Sequence, residues 1–391
     1  MCYHLNMEDQ ENPTVSKRWI ACPIEEEYLG SDRKQKRKER KEKSSRDRSK
    51  FKKTDKSKYT DSLQKEIKER VVDQELFFGR VLSVTSQGIV VDCDREIYTC
   101  MIRGLLKREK TQTKTLVAVG DIVRFAKMPD NEGMIVDVEP RKSILSRADN
   151  LSRKKEHLIA VNIDQVLITS SVVIPPLKPA LIDRYIIAAC KGGMRPVIIV
   201  NKVDLLDSHD FDDEARKEQR DLLEKCRQAY KEVGISFFEV SVESRCGLDE
   251  LKEAMRDQTS VFSGQSGTGK SSLINELTGL NLPVGDTVKQ TRKGAHTTTQ
   301  ARLVPLDCGG FCVDTPGIKS FGLWDLAQEE IQQYFPEIEK ISSFCRFPNC
   351  THTHEEKCQV RKDVEDGNIS PLRFESYLSL IESVVQKHHR R

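Results

Sequence analysis

Residues 264–271, with the sequence Gly-Gln-Ser-Gly-Thr-Gly-Lys-Ser, have the glycine spacing and the lysine of a phosphate-binding loop. An apolar run precedes the motif and a predicted helix follows it, which is the context that such a loop requires. Glycines let backbone N–H groups turn toward phosphate oxygens, and the helix N-terminus adds positive potential. Lys270 is predicted to bridge the β- and γ-phosphates, and the Ser271 hydroxyl to bind Mg²⁺. The other residues expected to contact the nucleotide here are Gly264, Gly267, Gly269 and Ser272.

A second motif, Asn-Lys-Val-Asp at residues 201–204, predicts that the base of the nucleotide is guanine. The Asp204 carboxylate can accept hydrogen bonds from the N1–H and the exocyclic amine of guanine, and adenine lacks this pair of donors. Asn201 can hold the edge of the base, and the stem of Lys202 can stack on its ring. Ser241, which follows another predicted strand, marks a candidate base-contact loop. A kinase or ATPase with a phosphate-binding loop is the competing interpretation, and Asn201 and Asp204 argue against it.

The order of these two motifs is reversed relative to ordinary GTPases. In those proteins the phosphate-binding loop comes first and the guanine motif later, whereas here residues 201–204 precede residues 264–271. The reversal indicates a circular permutation of the nucleotide-binding domain. A permutation moves the ends of the domain, and therefore changes which part of the chain a nucleotide switch pulls on.

A third motif, Phe-Cys-Val-Asp-Thr-Pro-Gly at residues 311–317, predicts contacts to Mg²⁺ and to the γ-phosphate. Asp314 ends an apolar strand and can hold Mg²⁺ directly or through water. The N–H of Gly317 can then meet the γ-phosphate. The same residue types also form ordinary turns, but the position of this motif after the phosphate-binding loop favours the nucleotide interpretation.

Residues 293–299 lie between the phosphate-binding loop and Asp314, and we expect them to form a switch loop. Thr297 or Thr298 could close on Mg²⁺ when a γ-phosphate is present, and His296 could orient the attacking water, although a lone histidine is more often structural or exposed. We expect the catalytic residues to be His296, Lys270 and Thr298. Ile318 stands where many GTPases have a glutamine that orients water, so basal hydrolysis is expected to be slow and to need a partner.

Three cysteines and a histidine near the C-terminus have the spacing of a metal site: Cys345, Cys350, His352 and Cys358. A closed Cys3His set is typical of structural zinc, so we expect one Zn²⁺ and no metal catalysis. His354 is a competing fourth ligand, and reduced unliganded cysteines or disulfides are the alternative interpretations.

The elements around these motifs predict several domains. Short β-branched runs from residue 76 to residue 145 predict about five strands, which fit an OB-fold barrel, although the pattern does not separate it from an SH3-like barrel. Alternating strands and helices from residue 157 to residue 325 predict a mostly parallel sheet covered on both faces. We therefore expect a multidomain α/β protein with a β-barrel. The expected domains are a barrel over residues 71–147, a permuted GTPase domain over residues 148–325 and a helical zinc-binding domain over residues 326–391.

The N-terminal 70 residues are expected to be a basic and mostly disordered arm. The chain has 391 residues and a formal net charge of only +3. Residues 31–58 alone carry fifteen Lys and Arg and five Asp and Glu. Such a segment is expected to bind a polyanion, above all nucleic acid, and a solvated charged linker or helix is the alternative.

No apolar run approaches the roughly 18–20 residues of a membrane span. Most of the twelve cysteines show no disulfide framework, which favours a reducing compartment.

Taken together, the barrel, the permuted nucleotide motifs and the Cys3His region resemble the RsgA (YjeQ) family of circularly permuted GTPases. The resemblance runs from about residue 78 to residue 377, and its linking segments include residues 141–147, 160–166, 183–185 and 282–285. His296 matches the family's histidine that is implicated in hydrolysis. Ala295 stands where the family usually has arginine, a departure that concerns one phosphate or RNA contact and not nucleotide binding.

The resemblance implies a GTPase that binds the small ribosomal subunit and its rRNA and hydrolyses GTP, slowly alone and faster on the ribosome, to drive a late step of subunit assembly. The implied cofactors are one structural Zn²⁺ and Mg²⁺ with GTP. The alternative is a non-enzymatic rRNA chaperone that binds GTP with negligible turnover. We expect a monomer without a membrane anchor. The long basic arm favours a protein of a plant organelle, either the mitochondrion or the chloroplast. If the chain is bacterial, we expect it in the cytoplasm.

Overall fold

The computed structural model describes residues 75–102, 116–149, 152–280, 301–314 and 328–389. The N-terminal arm and the switch loop expected at residues 293–299 lie outside these ranges. The described residues all belong to one unit, Gln74–Arg391.

Five strands at the start of the described chain close into a barrel. Antiparallel pairing joins β1 to both β2 and β4, while β3 pairs in parallel with β5. Alternate residues point inward, so that Val81, Val91, Phe125 and Ile135 are fully buried. The predicted OB-like barrel is therefore confirmed. Its strands are β1 (Leu76–Val84), β2 (Ile89–Cys93), β3 (Glu96–Ile102), β4 (Ile122–Lys127) and β5 (Glu132–Val138).

A β-hairpin that the sequence did not predict connects the barrel to the next sheet. Its strands are β6 (Ile144–Asp149) and β7 (Ser152–Val161), which pair with each other in antiparallel fashion. The start of the hairpin is fixed by Ser143, whose hydroxyl donates to the Ile163 carbonyl at 2.6 Å.

The second sheet is parallel except at one strand. Its strand order is β10-β9-β8-β11-β13-β12, and only β12 runs antiparallel to its neighbour β13. These strands are β8 (Gln165–Ser171), β9 (Arg195–Asn201), β10 (Ser236–Glu239), β11 (Thr259–Gly264), β12 (Arg302–Pro305) and β13 (Phe311–Asp314). The helices between them are α1 (Pro179–Lys191), α2 (Asp213–Glu232), α3 (Leu248–Met255) and α4 (Lys270–Thr278).

Two hydrophobic cores cover the two faces of this sheet. Along β8, Val166 and Ile168 belong to one core and Leu167 to the other. Burial on both faces explains why these strands read as continuous apolar runs. The mostly parallel sheet expected from the sequence is confirmed.

The connections make the space between β8 and β11 a topological switch point. From β8 the chain proceeds outward to β9 and β10, and then returns to place β11 on the other side of β8. In open α/β sheets, ligands bind at the carboxyl ends of the strands beside such a switch point. Asn201, Gly264 and Asp314 end β9, β11 and β13 on this edge.

The barrel and the second sheet are joined by a strand pair. Ser83 of β1 pairs with Arg302 of β12, which makes one continuous sheet of the two structures. Arg80 strengthens the junction: its guanidinium donates to the Thr259 hydroxyl and lies 5.0 Å from the ring centroid of Phe311.

The C-terminal region is helical and packs on α1. Its hydrophobic core contains Phe335, Ile338 and Tyr377, together with Ile187 from α1. No helix in the described ranges is long and apolar enough to span a membrane. The C-terminal helices are α5 (Gln328–Ile331), α6 (Pro336–Ser342), α7 (Gln359–Glu365) and α8 (Pro371–His389).

Candidate nucleotide and metal sites

The phosphate-binding loop follows β11 with a backbone that depends on glycine. Gly264, Gly267 and Gly269 have φ angles of 144°, 87° and 85°, a region that side chains with a Cβ rarely adopt. A Cβ on Gly264 would lie 2.0 Å from the carbonyl oxygen of Thr169, and one on Gly269 would lie 2.3 Å from Nδ2 of Asn201. The loop therefore has no room for other residues at these two positions.

Lys270, the first residue of α4, lies against the backbone of this loop. Its Nζ donates to the carbonyl oxygens of Gly264 at 2.9 Å and Gln265 at 2.5 Å. A cation held inside the turn of the loop is placed to meet a phosphate group. Ser271 and Ser272 follow in the first helical turn and are half-buried.

The guanine motif contacts the phosphate-binding loop directly. Asn201 donates from Nδ2 to the carbonyl oxygen of Thr268 at 3.0 Å, and Lys202 donates from Nζ to the carbonyl oxygen of Gly267 at 2.7 Å. Burial lowers the pKa of the Lys202 ammonium, and nearby Asp204 partly offsets this effect. The structure thus brings the two motifs together although 59 residues, 205–263, lie between them in the chain.

Lys202 also contacts a loop that the sequence analysis missed. Its Nζ donates to the Ile174 carbonyl oxygen at 2.8 Å, in the turn between β8 and α1. The same turn is tied to β8 by Ser171, which donates from Oγ to the Pro175 carbonyl oxygen at 2.8 Å. Backbone carbonyls carry these contacts, so no side-chain pattern in the sequence could have indicated them.

Asp204 and Ser241, the two residues predicted to contact the base, are hydrogen-bonded to each other. The Ser241 hydroxyl donates to Oδ1 of Asp204 at 2.5 Å and accepts from the backbone N–H of Ser244 at 3.0 Å. Ser241 is fully buried. The pair holds the carboxylate in one orientation and leaves its second oxygen for a ligand.

Asp314 lies at the same sheet edge, at the end of β13. Its Oδ2 is 3.3 Å from Nε of Arg302, and its side chain is 15% exposed. Four predicted residues, His296, Thr297, Thr298 and Gly317, lie outside the described ranges, as does Ile318. Their predicted roles are not addressed by the structure.

The four expected metal ligands converge in the C-terminal region. One ligand atom each from Cys345, Cys350, His352 and Cys358 lies within 4.8 Å of the others. Sγ of Cys345 is 3.9 Å from Sγ of Cys358, and Nδ1 of His352 is 3.6 Å and 3.3 Å from these two sulfurs. Tetrahedral zinc with ordinary bond lengths requires S–S separations of about 3.8 Å and S–N separations of about 3.6 Å. The residues fit such an ion.

His352, rather than His354, belongs to this set. His352 is fully buried, whereas His354 is exposed and bonds to the Thr353 hydroxyl at 2.8 Å. Burial lowers the pKa of His352, which favours the neutral imidazole that a metal requires. Burial also raises the pKa of the Cys350 thiol to about 12 when no cation is present.

Two family models match successive parts of this chain. Residues 78–135 match the RsgA N-terminal domain, and residues 138–324 match the RsgA GTPase. These matches cover the barrel and the parallel sheet in their observed order.

Curated relatives and solved structures give the same result over most of the chain. The small ribosomal subunit biogenesis GTPase RsgA of Bacteroides fragilis strain YCH46 is 35% identical over 315 residues, which are 80% of this chain and 98% of the relative. The protein of the same name from Saccharophagus degradans is 39% identical over 269 residues, 68% of this chain and 76% of the relative. The crystal structure of YjeQ from Thermotoga maritima superimposes with a TM-score of 0.63 at 30% identity, covering 80% of this chain and 99% of that one. YloQ, described as a circularly permuted GTPase, gives a TM-score of 0.62 at 27% identity, with 80% and 96% coverage.

Proposed function

The chain belongs to the RsgA GTPase family, and from this premise we propose that it binds the small ribosomal subunit and hydrolyses GTP to drive a late step in the assembly of that subunit. Its curated relatives carry the name small ribosomal subunit biogenesis GTPase, and they align over most of their own length. The fold and the GTPase class follow from family membership. The substrate contacts and the partner are the parts that we propose.

The observation that carries the proposal is the paired Asp204 and Ser241 on the sheet edge that also bears the phosphate-binding loop. A carboxylate held by a buried hydroxyl can accept from the two donors of guanine, and an adenine in its place would leave Asp204 unpaired. Contacts from Asn201 and Lys202 to the loop fix the distance between the base and phosphate positions.

A buried acceptor in the site supports ligand binding here. Oδ1 of Asn201 is buried and has no hydrogen-bond partner among the described residues. An unsatisfied buried acceptor costs about 1–3 kcal/mol, and a bound ligand or its water could remove that cost.

We assign the phosphate contacts to Lys270 and the loop glycines, and the Mg²⁺ contacts to Ser271 and Asp314. When bound, Mg²⁺ would neutralise part of the phosphate charge. Within this proposal His296, Thr297, Thr298 and Gly317 act on the γ-phosphate side, as the sequence predicts.

We further propose that the Cys3His set holds one structural Zn²⁺. All four positions would be filled by protein ligands, which makes the ion a fold-stabilising element without a free coordination site. The basic arm and the barrel would supply the rRNA contacts. A monomeric state and a location in a mitochondrion or chloroplast stay predictions.

A GTP-binding rRNA chaperone with negligible turnover is the second candidate, and Ile318 and Ala295 favour it. Ile318 cannot orient water as glutamine does. GTP turnover, measured with the purified chain alone, with small subunits and with large subunits, separates the two functions, and Lys270→Ala serves as the blank. Stimulation by small subunits alone supports the assembly GTPase. Negligible turnover in all three samples, despite tight GTP binding, supports the chaperone.

A further inference from the structure

Gln332 lies beside the metal-ligand set but outside the segment that contains it. It follows α5 in a short helical turn, 13 residues before Cys345, and its Oε1 is 3.0 Å from Nε2 of His352. The opposite ring nitrogen of His352, Nδ1, faces the sulfurs of Cys345 and Cys358. The imidazole therefore lies between the carboxamide on one side and the thiols on the other.

A chain of hydrogen bonds fixes which end of the carboxamide meets the imidazole. The Ser342 hydroxyl donates to the Glu339 carbonyl oxygen at 2.7 Å, and a carbonyl oxygen can only accept. Because its one proton is used there, Ser342 must accept from Gln332, whose Nε2 lies 2.8 Å from the Ser342 oxygen. The Gln332 oxygen is consequently the end that faces His352.

This orientation determines the tautomer of the histidine. An oxygen at 3.0 Å from Nε2 requires that Nε2 carry a proton and donate it. In the neutral imidazole the other nitrogen, Nδ1, is then an acceptor with a free lone pair. That lone pair lies among the three thiols, where a metal ion would be held.

From this geometry we infer that Gln332 is a positioning residue for the metal: it holds the proton of His352 on Nε2, so that Nδ1 is presented as the fourth ligand. Histidines that bind metals commonly donate their second N–H to such an acceptor, and loss of the acceptor typically weakens metal binding about 10–100-fold. The inference concerns the metal site alone and does not depend on the proposed ribosomal partner.

Removal of the Gln332 carboxamide tests the inference in the full-length protein. We expect Gln332→Leu to weaken Zn²⁺ binding by about 10–100-fold in competition with a chromophoric chelator. Gln332→Glu keeps an acceptor oxygen and is expected to stay within about threefold of the wild type. The matched control is Gln333→Leu, since Gln333 is the neighbouring residue of the same type and is exposed; it should leave Zn²⁺ affinity unchanged.

A second measurement uses the unaltered protein and so does not depend on the folding of a variant. In ¹⁵N-labelled, Zn²⁺-loaded protein, two-bond proton–nitrogen correlations of His352 should give a protonated Nε2 and a metal-bound Nδ1. Binding through Nε2 would overturn the inference. So would a folded Gln332→Leu variant with Zn²⁺ affinity equal to that of Gln333→Leu. If Gln332→Leu does not fold, the NMR assignment and the Gln332→Glu affinity decide the question.

Discussion

Arg373 of α8 and Asp183 of α1 form an ion pair whose side chains are only 1% and 0% exposed. Arg373 also donates from Nε to Oε1 of Glu337 at 2.8 Å, and its guanidinium lies 4.4 Å from the ring centroid of Phe335. The C-terminal helices thus contact α1, which packs on the parallel sheet, through a buried ion pair as well as through apolar side chains. Any movement of the C-terminal helices relative to the sheet must therefore either break this pair or move α1 with them.

We expect Arg373→Met to destabilise the protein by about 3–5 kcal/mol, because it leaves Asp183 as a buried charge without its partner. The free energy of unfolding in urea, measured for the Zn²⁺-loaded protein, checks this. Arg361→Met is the control, since Arg361 is exposed on α7 and its loss should cost less than about 0.5 kcal/mol. Adding Asp183→Leu to Arg373→Met should recover part of the lost free energy of unfolding. A double variant that is less stable than Arg373→Met would contradict this account.

Asp204→Asn is expected to change the base preference of the site from guanine to xanthine. The amide N–H₂ that replaces a carboxylate oxygen can donate to the xanthine O2 but cannot accept from the guanine amine. Fluorescence titration with labelled GDP and XDP should give a GDP affinity at least about 100-fold lower and a gain for XDP. Equal losses for both nucleotides would mean that Asp204 is not the base reader.

Ser241→Ala is expected to weaken GDP and GTP binding about 5–10-fold, which corresponds to the loss of one buried hydrogen bond worth about 1–1.5 kcal/mol. The effect should be the same for both nucleotides, because Ser241 acts on Asp204 and not on the γ-phosphate. Ser244→Ala keeps the Ser244 backbone N–H that bonds to Ser241, and so it is the control. A loss confined to GTP would sink this assignment.

Zn²⁺ affinity is expected to rise with pH through the neutral range. Burial raises the pKa of Cys350 to about 12 and raises that of Cys358. Both thiols are therefore protonated at pH 7 without metal, and must lose those protons to bind it. Burial lowers the pKa of His352, which contributes no proton. Calorimetry in buffers of different ionisation enthalpy should find at least about two protons released per Zn²⁺, because Cys350 and Cys358 must each lose one; release of none would show that these thiols are already ionised.

Arg302→Gln is expected to lower the Mg²⁺ concentration needed for half-maximal GTP binding about two- to fivefold. Arg302 pairs with Asp314 at 3.3 Å and is 56% exposed, so the pair is worth at most about 1 kcal/mol. Mg²⁺ must displace it if Asp314 is a ligand of the ion. Titration of GTP binding with Mg²⁺ measures the shift, and an unchanged midpoint would remove Asp314 from the Mg²⁺ site.

The sequence was sufficient for the parts of the protein that are local in the chain. The glycines of residues 264–269 must adopt positive φ angles, and the strand ends at Asn201 and Asp314 follow from short apolar runs, so the motifs carry their own geometry. The edge on which they meet then follows from the parallel sheet. The spacing of the four metal ligands is likewise contained within 14 residues.

Contacts between distant segments could not be predicted in the same way. Gln332 meets His352 and Arg373 meets Asp183 only because helices pack, and neither pair has a characteristic spacing. The contact of Lys202 with Ile174 uses a backbone carbonyl, which every residue has. The hairpin of β6 and β7 was missed because its strands are rich in charged residues and do not alternate cleanly between apolar and polar positions.

The pairing of Ser83 with Arg302, and of Arg302 with Asp314, places three residues in one row across β1, β12 and β13. In this row the barrel covers the outer edge of β12. A fragment that began after the barrel would leave that edge with unsatisfied N–H and C=O groups, which is a template for self-association. The barrel therefore protects this edge of the sheet from pairing with a second molecule.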